Sequence, residues 1–159
     1  MAEHGRAGNT HTEGTGEADR LLRSVNLLLN RYLIEGADGA PRPLRYNPVD
    51  YQALRRIHAG PGARATDIAR DLRVPATTLQ SSLDRMGGMG LLEKSPHPTD
   101  GRARVYALTK AGEAMHAAIL AQDRANMGAM LDVLEAEERG VLLDLLDRIA
   151  EALRQQGAQ

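Results

Sequence analysis

Between Asn47 and Thr109 the chain falls into short apolar-periodic segments separated by hard stops, and few folds accommodate that punctuation. Asn47-Pro48 opens a helix: Asn is a favoured N-cap, Pro fits the first helical position, and Asp50 lies in the electropositive first turn. Tyr51, Leu54 and Ile57 form its apolar face, and Gly60-Pro61-Gly62 stops it. A short helix is predicted from Ala65 to Leu72, with Ile68, Ala69 and Leu72 inward. Arg73-Val74-Pro75 makes a tight connection. Pro75 starts a further helix through about Met86, with Leu79, Leu83 and Met86 on one face. Its other face carries Thr77, Thr78, Gln80, Ser81, Ser82 and Arg85, and Gly87, Gly88 and Gly90 end it. Leu91–Lys94 and Ala103–Leu108 alone have strand character. Two prolines and Asp100-Gly101 lie between them, which predicts a β-hairpin with an exposed tip.

The flanks are predicted to be helical. The chain has no Phe, no Trp and no Cys, so its core is built from Leu, Ile, Val, Met, Ala and four Tyr. From Glu17 to Gly36 a broad stripe of Leu21, Leu22, Val25, Leu28 and Leu29 exceeds what one side of one helix buries. A Gly/Pro linker spans Ala37 to Pro43. Thr109 caps a long Ala-rich helix. A last helix, from about Ala136, bears Leu142, Leu145, Leu146 and Ile149, with Gly140 as a possible break costing ~1 kcal/mol. Residues 1–16 are small, polar and Gly-rich, and read as a disordered tail.

Order and charge together point to DNA. Helix, short helix, tight turn, helix and two-stranded hairpin describe a winged helix-turn-helix over residues 47–109, in which the third helix enters the major groove. Residues 41–106 hold eleven basic and six acidic side chains, net +5, although the whole chain is net −1. A basic middle suits a polyanion, and equally arises by segregation of solvated charges. Ala76, Thr77, Thr78, Gln80, Ser81 and Arg85 are the candidate base-reading and backbone-contacting residues. Gln bonds adenine in bidentate fashion and Thr touches a thymine methyl. On the hairpin, Arg102 and Arg104 are candidates for a narrow minor groove, and Asp100 is placed to orient the Arg102 guanidinium.

The residues that carry a family likeness are Thr66-Asp67-Ile68-Ala69-Arg70-Asp71-Leu72, Leu83-Asp84-Arg85-Met86 with Gly90-Leu91-Leu92, and the wing Asp100-Gly101-Arg102 running through Leu108-Thr109-Lys110-Ala111-Gly112. They resemble the MarR family of multiple-antibiotic-resistance-type regulators. The resemblance implies a mainly α fold, a winged helix-turn-helix with a two-stranded wing, and N- and C-terminal dimerisation helices (17–36 and 110–159) within one domain, 17–159. It implies a homodimer joined through Leu21, Leu22, Val25, Leu28, Leu29, Leu142, Leu145, Leu146 and Ile149. That dimer would be a ligand-responsive transcriptional regulator, most often a repressor, on a pseudo-palindromic double-stranded operator. It also implies that Asp84 pairs with a wing arginine. The sequence departs from the family at Ser81, where a basic residue is frequent, at Arg73, where Gly is common, and at Pro75, in place of a Ser-type cap.

The family's effectors are small aromatic or anionic molecules held between the DNA-binding lobe and the dimer helices. Tyr32, Tyr51 and His58 are the candidate lining; the alternative is core tyrosines and an exposed His58 at a helix C-terminus. Without Cys, thiolate metal sites and thiol redox sensing are excluded. No metal-ligand spacing, nucleophile–base pairing or phosphate loop is found, so no metal, cofactor or enzyme activity is expected; Gly87-Gly88-Met89-Gly90 follows a helix instead of preceding one. No run approaches the ~18–20 apolar residues that span a bilayer, and no secretion signal opens the chain, so a cytoplasmic protein is expected. The competing function is a helical protein-interaction module, antirepressor-like, that keeps the fold without DNA binding.

Overall fold

The computed structural model describes residues 10–31 and 47–156. The chain runs α1 (Thr10–Leu28), α2 (Pro48–Ala59), β1 (Ala63–Arg64), α3 (Ala65–Leu72), α4 (Ala76–Gly88), β2 (Leu92–Pro96), β3 (Arg104–Leu108), α5 (Lys110–Leu131) and α6 (Ala136–Gln156). This is the expected mainly helical winged helix-turn-helix, with one addition. The wing is a three-stranded antiparallel sheet in the order β1-β3-β2, where a two-stranded hairpin was expected. β1 is too short to leave a sequence signal. It forms because Gly62, at φ +83°, turns the chain so that Ala63 pairs with Tyr106 and Arg64 with Val105. The sheet thereby ties the wing to the start of α3.

The helix boundaries follow local chemistry. Asn47 caps α2, its side chain accepting from the Val49 N–H at 3.0 Å. Thr109 caps α5 by accepting from the Gly112 N–H, and its hydroxyl donates to the Gly90 carbonyl at 2.7 Å. α3 ends on Arg73 in the left-handed conformation, φ +55°, which explains why Gly is common at that place. α4 runs two residues beyond Met86, into the glycine pair, and Gly90 at φ +71° makes the turn. Gly140 does not interrupt α6, which is continuous to Gln156. α1 starts at Thr10, ahead of the expected Glu17. The Gly/Pro linker lies outside the described residues.

One apolar core belongs to the lobe. Leu54, Ile57, Ile68, Leu79, Leu83 and Met86 are almost completely buried, with Tyr51, Leu91, Tyr106 and Ile119 around them. Gly112 seats α5 on this lobe: a Cβ there would run into the Leu91 carbonyl oxygen. Gly112→Ala is therefore expected to destabilise the protein by about 1–3 kcal/mol through overpacking, read as a lower urea midpoint with an unchanged slope.

α1 and α6 contribute nothing to that core. No residue of α6 is buried. Leu21, Leu22, Val25, Leu28, Leu29, Leu145, Leu146 and Ile149 are exposed, and Leu142 is half-buried. Two helices of about 28 and 31 Å thus present apolar stripes that this single copy leaves uncovered. Among the described residues no helix is long and apolar enough to cross a membrane.

Candidate nucleic-acid interface

α4 displays a polar face because its apolar residues recur at three- and four-residue steps and point inward. Ala76, Thr77, Thr78, Ser81 and Arg85 are exposed and Gln80 is half-exposed, while Leu79, Ser82, Leu83 and Met86 are buried. Ser82 is thus a correction: it lies on the core side. Its hydroxyl donates to Asp50 Oδ1 at 2.6 Å. Asp50, in the first turn of α2 as expected, is 1% exposed. Arg85 donates to the same carboxylate through Nε at 2.7 Å and Nη2 at 2.6 Å. This hydrogen bond, together with the Asp50 charge, raises the Arg85 pKa against a smaller opposing effect of burial. Two guanidinium nitrogens of Arg85 are therefore engaged within the protein, and the Asp50–Ser82–Arg85 cluster fixes α4 against α2.

Gln80 donates to Asp84 Oδ1 at 2.7 Å, one turn along the helix. This corrects the pairing that the resemblance implied, because Asp84 holds Gln80 and not a wing arginine. Ser81 donates to the Thr77 carbonyl at 3.1 Å, which leaves the Ser81 lone pairs and the Thr77 and Thr78 hydroxyls as the further polar groups of this surface.

The wing is held near its tip. Asp100 does not hold the Arg102 guanidinium, as had been expected; its Oδ1 accepts from the Arg102 backbone N–H at 3.2 Å, an Asx turn that shapes the tip. Its Oδ2 lies 3.5 Å from Arg64 Nη1. Arg64 Nη2 lies 3.2 Å from His97 Nε2. Arg64 and His97 thus brace both sides of the wing; sequence reading missed them because their partners are over thirty residues away. Arg102 and Arg104 are exposed, and neither guanidinium has an ion-pair or hydrogen-bond partner among the described residues. Between wing and α4 lies a cleft of about 310 Å³ bordered by Arg64, Thr66, Gln80, Lys94, Arg104 and Tyr106. Three cations on its walls give it a positive potential.

Of the candidate effector lining, Tyr51 and His58 lie among the described residues. Tyr51 lies in the lobe core, and Tyr32 lies outside the described residues. His58, near the C-terminus of α2, is instead paired with α5: its Nδ1 is 2.8 Å from Glu113 Oε2, and its ring stacks on His116 at 4.0 Å and 22°. Burial, and then the charge on His58, lower the His116 pKa, against an opposing effect of Glu113.

This geometry has known counterparts. Residues 46–103 match the family model described as MarR family. The winged helix-turn-helix lobe is thus similar to the MarR family. The PcaV transcriptional regulator of Streptomyces coelicolor, solved with its natural ligand, is similar to this chain at 26% identity. The match covers 93% of this chain and 99% of PcaV, with a TM-score of 0.59. FabT of Streptococcus pneumoniae, solved in complex with DNA, shares the fold at 18% identity over 92% and 99% of the two chains, TM-score 0.67. YusO of Bacillus subtilis does so at 17% over 91% and 99%, TM-score 0.73. No curated protein matches the chain in sequence.

Proposed function

We propose that this chain is a homodimeric transcriptional regulator that binds double-stranded DNA. The observation that carries the reading is the pairing of an outward polar α4 face with two wing arginines, Arg102 and Arg104, that are unpartnered among the described residues, on the one basic segment of an otherwise acidic chain. α4 enters the major groove, where Thr77, Thr78, Gln80 and Ser81 meet base edges and phosphates. The wing reaches the neighbouring minor groove, where the potential is most negative and arginine is favoured. The uncovered stripes of α1 and α6 join two copies, so that paired α4 helices address two half-sites about one turn apart. The site is a pseudo-palindrome, and the regulator acts as a repressor that a small aromatic or anionic ligand releases. FabT, which shares this fold, was solved with DNA, and PcaV with a ligand.

The test is binding to duplex fragments selected from the source genome, measured over a salt series. Affinity should fall steeply as salt rises, because phosphate contacts release counterions. Arg102→Ala is expected to weaken operator binding by ~1–3 kcal/mol without changing the thermal midpoint. An antirepressor-like interaction module would show no saturable, salt-dependent binding to any selected duplex, and that result would remove the reading.

A further inference from the structure

Where α2 meets α5, three metal-binding side chains converge that neither the fold nor the DNA surface requires. His58 comes from the last turn of α2; Glu113 and His116 come from adjacent turns of α5. Their donor atoms all lie within 4.8 Å of one another. We propose that His58, Glu113 and His116 form a binding site for a divalent transition-metal ion of the zinc type.

The donor chemistry selects the ion. Two imidazoles and one carboxylate suit zinc and its borderline neighbours; with no cysteine in the chain, ions that demand soft thiolates are disfavoured. Three protein ligands leave a fourth position for water or an exchangeable ligand, as in open zinc sites. Zinc–nitrogen and zinc–oxygen bonds of ~2.0–2.2 Å place tetrahedral donors about 3.3–3.5 Å apart. The His58–Glu113 pair, at 2.8 Å, is hydrogen-bonded and closer than that spacing, so the two donors part by about 0.5 Å to admit an ion. The His58 and His116 rings are stacked at 4.0 Å, so joint ligation of one ion requires an imidazole to turn. Half of the His58 and Glu113 side-chain surface is open to solvent, which leaves room for that turn and for ion entry.

The backbone under the ligands is fixed. Glu113 and His116 share one face of a helix whose first turn is locked by Thr109 and by the contact of Gly112 with Leu91, and α2 lies in the core. The nearby Arg55, whose charge acts on His116, opposes a cation, and the Glu113 carboxylate offsets it. A bound ion would staple α2 of the lobe to α5, the helix that leads into α6.

The experiment uses the full chain, stripped of metal with a chelator and dialysed. Zn²⁺ is titrated against a chromophoric competitor, and Co²⁺ is followed by its ligand-field absorption. One ion per chain is expected, with a rise in thermal midpoint on Zn²⁺ addition and movement of the His58 and His116 imidazole resonances. His58→Ala, Glu113→Gln and His116→Ala should each weaken Zn²⁺ by at least roughly tenfold, the loss that even outer partners of a metal cause. They should keep the far-ultraviolet circular dichroism of the parent. The chain's other histidines are His4, His11 and His97, and replacing them by Ala should leave binding unchanged. No saturable Zn²⁺ or Co²⁺ binding would overturn the proposal. So would binding that survives the three site variants, or that is lost with His4, His11 or His97.

Discussion

Arg85→Ala is expected to destabilise the protein by about 3–5 kcal/mol, the cost of leaving a buried charge without its partner. Asp50 is 1% exposed, and its carboxylate is held by Arg85 and Ser82. Removing Arg85 strands that carboxylate with one hydroxyl. The reverse deletion is milder. The Arg85 side chain is 45% exposed, so in Asp50→Ala the guanidinium turns into water and only the Ser82 hydroxyl loses its acceptor. The asymmetry identifies the cluster as a clamp. If Arg85 served DNA alone, Arg85→Ala would lose operator affinity while the urea midpoint stayed put. For a clamp, the midpoint falls first and Asp50→Asn/Arg85→Met recovers part of the loss. The thermal midpoint should drop by roughly 6–20 °C, at ~2–4 °C per kcal/mol for a chain of this size. A drop within experimental error would remove the clamp from the account of α4.

The same cluster shows where sequence reading reaches its end. The spacing of Leu79, Leu83 and Met86 placed α4 and its inner face correctly. Ser82 belongs to that face by the same spacing, three residues from Leu79 and four from Met86, and its polarity disguised it. Asp50 was legible as a first-turn acid because that reading needs only its neighbours. Its burial depends on partners 32 and 35 residues away, a distance that no local rule bridges. Asn47, Thr109 and the wing prolines act through adjacent backbone groups and were legible for that reason. The wing arginines were legible as exposed cations, whereas the Arg64 and His97 braces were not. Glu113 and His116 carried a faint signal, an acid and a histidine one helical turn apart, and His58 joins them only through the packing of α2 on α5. The third strand left no trace because two residues cannot show alternation. The surplus stripes on α1 and α6 were readable as surplus, and in the structure they remain uncovered.

Those stripes carry the second large expectation. Leu146→Asp combined with Ile149→Asp should convert a dimer into monomers and lower operator affinity by about 10²–10⁴-fold. Each aliphatic side chain buried at an interface contributes ~1.5–3 kcal/mol. Four are lost across two copies, an upper bound of roughly 6–12 kcal/mol, against ~8–12 kcal/mol for a complex of micromolar to nanomolar affinity. The interface cannot absorb that loss. The lobe can, because its core draws on α2, α3, α4, the sheet and the first half of α5, and no residue of α6 is buried in it. Tyr51 and Tyr106 report on that core from inside, so the near-ultraviolet circular dichroism of the double variant should match the parent while its sedimentation mass halves. DNA affinity then falls because each monomer reaches one half-site and the second no longer binds at raised effective concentration. A variant that stays dimeric would place the interface on other surfaces. A monomer that keeps the parent's operator affinity would show that a single lobe, and not a pair, reads the DNA.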